Sequence, residues 1–256
     1  MQSCTEATLA RAPESHAARR HSPHSRDSLA CANRPALRFT ALLDSTAEFP
    51  MAIRKARKNL LRRRELKPLN FELRLRIYDI SPQIYRDMLL GEGIFLIQLH
   101  RAIQSMFGWF DIHEHEFTND GVRYAEPDEE GRLAHGVRST LETTVGELAL
   151  NRHGTFHYIY DFGDRWKLTI TVMDIFEQVE PGLTIFPIML GGERAGPPED
   201  CGGPPGYADL LTVLADPSHP LHQERSEAIG PPFDPEQFDF RTSSHALALL
   251  CAWGAI

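Results

Sequence analysis

Close cysteine pairs are missing from this 256-residue chain: Cys4, Cys31, Cys201 and Cys251 are scattered, and no segment reads as a secretory signal. That argues against a disulfide framework and fits a reducing cytosol. Also missing is any apolar run near the ~20 residues that a membrane-spanning helix needs. The chain therefore reads as soluble and cytoplasmic, with no membrane partner. Positive charge is scarce after the first quarter. Residues 68–256 contain 13 Lys/Arg against 29 Asp/Glu, a balance of −16, whereas residues 1–67 contain 14 against 6, a balance of +8. An acidic body repels phosphate backbones at long range, so nucleic acid as a partner is left to the leader alone.

That leader, residues 1–66, is rich in Arg, Ser and His, as in His16-Ala-Ala-Arg-Arg-His21, and shows no sustained period. Such composition buries too little surface to order itself and predicts disorder. A functional arm and a transit-type peptide are two readings, the second opposed by Glu6, Glu14 and Asp27. The preferred third takes Met51 as the true start. The run Arg54-Lys-Ala-Arg-Lys-Asn-Leu-Leu-Arg-Arg-Arg64 offers a nucleic-acid-binding arm. Without interleaved aromatics for base stacking, a solvated basic run is favoured.

Order is expected over residues 67–240. Phe71-Glu-Leu-Arg-Leu-Arg-Ile77 alternates and predicts a half-buried strand; Ile84 to Leu90 returns as a second after Pro82. Ile94 to Phe107 carries apolar residues at helical spacing, with Gly108 as its C-terminal cap. His113–Thr118 and Val122–Tyr124 form a hairpin around Asp120-Gly121. Residues 125–140 read as loop, and Thr144 with Glu147 predicts a short capped helix to Leu150. Phe156–Tyr160 and Trp166–Phe176 are further strands, and Tyr207–Ala215 and His219–Ile229 are helical. Asp234-Pro235 starts a last helix as N-cap and first-turn proline. Without a regular βαβ beat, the fold class is α+β: one compact domain, its mixed or antiparallel sheet packed by a few helices.

Several distinctive motifs stand in order along the chain: Gln98-Leu-His100, Gly108-Trp109, His113-Glu-His-Glu-Phe117, Tyr160-Asp-Phe-Gly-Asp-Arg-Trp166, and Gly192-Glu-Arg-Ala-Gly-Pro-Pro-Glu-Asp-Cys-Gly-Gly203. Gly206-Tyr207, Asp216-Pro-Ser-His-Pro220 and Phe233-Asp-Pro-Glu-Gln-Phe-Asp239 complete them. Over residues 69–240 they resemble the plasmid pRiA ORF-three-like family, whose members are also labelled insertion-element passenger, TnpR-like proteins. The resemblance implies an α+β domain of mobile-element or accessory-gene origin, with no activity to transfer. Family members often carry one cysteine before the Gly-Glu-Arg segment and another before Pro-Pro-Glu-Asp. Met189 or Leu190 and Gly196 stand there instead, which removes a thiolate metal site. The tail, residues 241–256, departs from the charged helix the resemblance implies. Recombinase chemistry is not supported, because it needs a nucleophile among clustered arginines.

The candidate chemistry gathers in two acidic, glycine-rich loops, 160–164 and 197–203. Asp161 and Asp164 flank Gly163; they read as a carboxylate pair or, preferably, as caps of a tight turn with Gly163 at positive φ. Glu199 and Asp200 sit on a proline-stiffened loop and read as binding groups, or as partners of Arg194 or Arg165. His113 and His115, at i and i+2 of a strand, share one face and offer a Zn or Mn site with Glu116, Asp161, Asp164 or Asp200 as a third ligand. The alternative is two histidines that only pack and hydrogen-bond. Cys201 reads as a nucleophile beside a histidine or as an inert buried thiol. Tyr158, Tyr160, Phe162, Trp166 and Tyr207 line a groove or fill the core.

The leading expectation is a non-enzymatic binding module without a cofactor, whose candidate binding residues are Glu199, Asp200, Asp161, Asp164, Arg194, Tyr207 and Trp166 and whose partner is a protein or small molecule. A metal-dependent hydrolase and a nucleic-acid-associated accessory protein are the alternatives.

Overall fold

The computed structural model describes residues 67–178, 186–230, 233–252, 254 and 256. Met51, the basic run Arg54–Arg64 and the rest of the leader lie outside the described residues. The strands are β1 (Leu69–Ile77), β2 (Tyr85–Gly91), β3 (His115–Asn119), β4 (Val122–Ala125), β5 (Val137–Ser139), β6 (Thr155–Tyr160), β7 (Trp166–Glu177) and β8 (Ile188–Glu193). The helices are α1 (Leu96–Phe107), α2 (Gly203–Ala215), α3 (His222–Ile229) and α4 (Phe240–Ala252), with a 3-10 turn at Val145–Leu148. The eight strands make one mixed sheet in the order β5-β4-β3-β6-β7-β1-β2-β8. All its pairings are antiparallel except β4 with β5. The expected α+β domain is what the chain forms.

Alternation in sequence becomes alternation in burial. Phe71, Leu73, Leu75 and Ile77 of β1, and Trp166, Leu168, Ile170 and Val172 of β7, all point into the core. The apolar stripe of α1 covers this face, and Gly108 ends the helix in the left-handed conformation at φ 79°. On the opposite face Arg74 and Asp87 form a bidentate cross-strand pair at 2.8 Å. The β3–β4 hairpin turns on Asp120 and Gly121, both at positive φ, the backbone that a two-residue turn requires. Glu147 accepts from the Thr144 backbone N–H at 2.8 Å, the expected cap.

Arg86 is the unusual core residue, with 2% of its surface exposed. Its guanidinium donates to the carbonyls of Met106, Tyr85 and Glu193 at 2.8, 2.7 and 2.9 Å. It lies between the rings of Phe107 and Phe238, 4.9 and 4.0 Å from their centroids. Burial lowers its pKa to about 10, so it stays protonated at neutral pH.

Four expectations need correction. Residues 125–140 are not all loop, because Val137–Ser139 adds β5 as an edge strand beside β4. The Gly192-to-Gly203 motif, expected as loop throughout, is not: Gly192 and Glu193 end β8, which pairs with β2. Helix α2 starts at Gly203, with the prolines that follow in its first turn, where a missing N–H costs nothing. Asp234-Pro235 starts no helix. Asp234 accepts from Glu236 N at 2.9 Å to close a turn, and α4 begins only at Phe240, capped by Asp239 through Thr242 N at 3.0 Å. That helix is the tail expected to be atypical. It packs on α1 and β8 and buries Leu247.

Candidate functional site

Two buried polar residues on α1, His100 and Gln104, are four apart and so share a face. They close a ring with Tyr158 of β6 and Asp111 of the α1–β3 connection. Asp111 Oδ1 accepts from His100 Nε2 at 2.6 Å, which leaves Nδ1 to accept from the Tyr158 hydroxyl at 2.8 Å. The phenol oxygen accepts from Gln104 Nε2 at 3.0 Å, and Gln104 Oε1 accepts from Asp111 N, also at 3.0 Å. Each member satisfies the next, and the backbone at Asp111 is fixed in the left-handed region at φ 58°. Partial burial is the largest single influence on Asp111 and opposes its ionisation, but the His100 hydrogen bond and the neighbouring His100, His115 and Arg101 together outweigh it and hold the carboxyl below its usual range. His115 stacks flat on His100 at 3.6 Å and is 5% exposed. Burial, and then the adjacent His100, push its pKa down to about 3.

The two acidic loops lock together and onto the same connection. Trp109 Nε1 donates to the Pro197 carbonyl at 3.0 Å, and Glu199 Oε1 accepts from both Phe110 N at 2.8 Å and the Tyr160 hydroxyl at 2.9 Å. The same phenol oxygen accepts from Ile112 N at 3.2 Å. Gly202 N donates to Asp164 Oδ2 at 3.0 Å, and Asp161 Oδ1 accepts from Gly163 N at 2.8 Å. Two glycines permit the contact: a side chain at Gly196 would run into the Phe107 carbonyl, and one at Gly203 into that of Asp164. The segment 109–112 is therefore held from both sides. It nevertheless exposes Phe110 and Ile112 at 75% and 61%, close to Phe162 at 48%.

Ile112 and Phe162, though not Phe110, line a cavity of about 850 Å³. Ile112, Phe162, Leu133 and Val137 supply its apolar wall, and Glu114, Glu126 and Asp128 its acidic one. Its arginines are paired, Arg123 with Glu116 at 2.7 Å and Arg132 with Asp128 at 3.0 Å. At the rim, His113 Nε2 lies 2.9 Å from Asp200 Oδ1 and 3.7 Å from Asp161 Oδ2.

A family model described as "Plasmid pRiA4b ORF-3-like protein" matches residues 70–242. The chain belongs to this family. A Sinorhizobium fredii relative, "Uncharacterized protein y4hQ", is 34% identical over 161 residues, covering 62% of this chain and 79% of its own length. The crystal structure titled "Protein of Unknown Function MM3350", from Methanosarcina mazei Go1, superposes with a TM-score of 0.59 at 32% identity, over 68% of this chain and 96% of that one.

Within this pRiA4b ORF-3-like domain the expected site residues divide. His113, Asp161 and Asp200 converge. His115 does not join them: β3 begins only at His115, so the alternation that was to align it with His113 does not extend back that far. Its ring turns instead into the His100 stack. Arg194 partners Glu236, not the Glu199-Asp200 pair. Glu199 and Asp164 brace backbone N–H groups. Trp166 and Tyr207, 0% and 1% exposed, are core beneath the loops rather than binding groups. Of the five grouped aromatics, only Phe162 is exposed. The positive φ of the first loop falls at Asp161 and Arg165, not at Gly163. Burial, and then the Asp164 carboxylate, raise the Cys201 thiol to about 12, which disfavours the thiolate a nucleophile needs. Of the cysteine-replacing positions, Met189 is core and Gly196 has no room for a side chain.

Sequence reasoning missed His100, Gln104, Asp111, Phe110 and Ile112 as a unit. The available signal was two polar side chains four residues apart on an otherwise apolar helical stripe.

Proposed function

We propose that this domain is a non-catalytic binding module that captures a segment carrying positive charge flanked by apolar groups. The observation that carries this reading is the exposure of Phe110 and Ile112 on a backbone pinned from both sides. Folding gains nothing from exposing large apolar groups, whereas a partner gains area without a further ordering cost. The acidic wall of Glu114 and Glu126, which shares a cavity with Ile112, selects the sign of the partner's charge. The loop carboxylates speak for the same reading. Glu199, Asp161 and Asp164 are engaged by main-chain or phenolic donors, an arrangement suited to a scaffold rather than to proton transfer.

The test is selection of a phage-displayed random peptide library on the full-length protein. Peptides with Lys or Arg between aromatic or aliphatic residues should be enriched. A selected peptide should bind at least about tenfold more weakly to Phe162→Ser and to Glu114→Lys, with far-UV dichroism unchanged. Equal enrichment on a Phe110→Ser/Phe162→Ser double variant would overturn the reading. The hydrolase alternative draws only on the His113 cluster, and nucleic-acid association only on Arg54–Arg64, outside the described residues.

A further inference from the structure

We infer that His113, Asp161 and Asp200 form a site for one divalent transition-metal ion of the zinc or manganese class. It is independent of the binding reading and of peptide capture. Three chain segments far apart in sequence bring their ligand atoms, His113 Nε2, Asp161 Oδ2 and Asp200 Oδ1, within 4.8 Å of one another. Metal–ligand bonds of about 2.0–2.2 Å place neighbouring ligand atoms roughly 3–3.6 Å apart. The 2.9 and 3.7 Å separations at His113 bracket that spacing, so an ion needs only a small closure of the Asp161–Asp200 edge.

The supports of these ligands match what a metal site requires. The Asp161 side chain is only 10% exposed. Its Oδ1 takes the Gly163 N–H, which fixes the carboxylate and turns Oδ2 toward His113, beyond hydrogen-bond reach at 3.7 Å. The Asp161 side chain is nine-tenths buried, and its Oδ2 faces an imidazole and a second carboxylate, three ligand atoms that a cation would draw together. The main chain at Asp161 is held as well, its N–H donating to the Glu114 carbonyl at 2.9 Å. Asp200 is set by its left-handed backbone, φ 53°, between the anchored Glu199 and Gly202. Orientation by a second layer of hydrogen bonds is the usual support of ligating groups. Guanidinium groups of Arg123, Arg132, Arg152 and Arg194 are engaged with Glu116, Asp128, Asp174 and Glu236.

The donor set chooses the ion. One imidazole and two carboxylates suit Zn²⁺ or Mn²⁺, whereas Ca²⁺ takes six to eight oxygen ligands, far more than converge here. Three protein ligands also leave coordination positions for water. The Asp200 side chain, 67% exposed, gives the ion an open route in.

The experiment is isothermal titration of the chelator-stripped full-length protein with Zn²⁺, Mn²⁺ and Ca²⁺. One equivalent of Zn²⁺ or Mn²⁺ should bind at least about a hundredfold more tightly than Ca²⁺ and raise the thermal midpoint. His113→Gln and Asp200→Asn should each weaken it by tenfold or more. Both positions are partly exposed, and asparagine tolerates the backbone at Asp200, so folding is preserved. Cys201→Ser should leave the affinity unchanged. Binding that survives His113→Gln and Asp200→Asn, that disappears with Cys201→Ser, or that is absent for Zn²⁺ and Mn²⁺ alike overturns the assignment.

Discussion

His113 and His115 are two residues apart and live in opposite surroundings. His115 points inward, flat against His100, where burial and a second imidazole hold it neutral. His113 stays half-buried among carboxylates that two loops bring to it. The difference arises where β3 begins. At His115 the strand's pleat directs the ring into the core, and before it the chain is fixed by side-chain hydrogen bonds to Asp111, Phe110 N and Ile112 N. One histidine environment is thus built for stability and the other is left available.

Breaking the buried side should have the largest effect. His100→Ala leaves the Tyr158 hydroxyl and the Asp111 carboxylate without their shared partner and opens a cavity. The expected loss is about 4 kcal/mol of unfolding free energy, read from the midpoint in urea. Acid should act next, in metal-free protein. The folded pKa of His115 lies near 3 and its unfolded value near 6.5, so below 6.5 the unfolded chain binds the extra proton. This contribution is fully present above pH 6.5 and declines as pH falls toward 3, by about 1.4 kcal/mol per unit, or about 3 kcal/mol by pH 4. His115→Phe should flatten that slope in a series of urea titrations against pH; an unchanged slope would refute the neutral, buried histidine. The smallest effect belongs to the other side. His113→Ala should cost under about 1 kcal/mol in chelated protein, because its contact with Asp200 is largely exposed. A loss as large as that of His100→Ala would erase the distinction.

Strands β1, β6 and β7, helix α1 and the β3–β4 hairpin were legible because each carries a periodic or turn signal that tertiary context leaves alone. Strand β5 was not, since three residues cannot display alternation. In β8 the pair Gly191-Gly192 depresses strand propensity, and pairing with β2 imposes the strand regardless. Asp234-Pro235 was misread because an Asp that caps a turn and an Asp that caps a helix make the same hydrogen bond two or three residues on. Within the site, His113, Asp161 and Asp200 were each visible as chemistry-bearing residues. Their meeting was not, because it depends on how 108–114 and 197–203 dock. The His100 ring was hidden by its regularity, a histidine occupying a core position of an apolar helix.

The buried cation at Arg86 also acts on α1. That helix has no basic residue in its last turn, so nothing in its own sequence offsets the partial negative charge that aligned peptide dipoles gather at a C-terminus. Arg86 Nε binds the Met106 carbonyl at that end, bringing a positive charge from another strand inside the core. The helix is thus electrically terminated by the sheet, two residues before the chain enters Gly108-Trp109 and the segment that displays Phe110 and Ile112. A neutral residue at position 86 would leave that end of the dipole facing hydrocarbon, and the disturbance would fall first on the stretch of chain that carries the recognition surface.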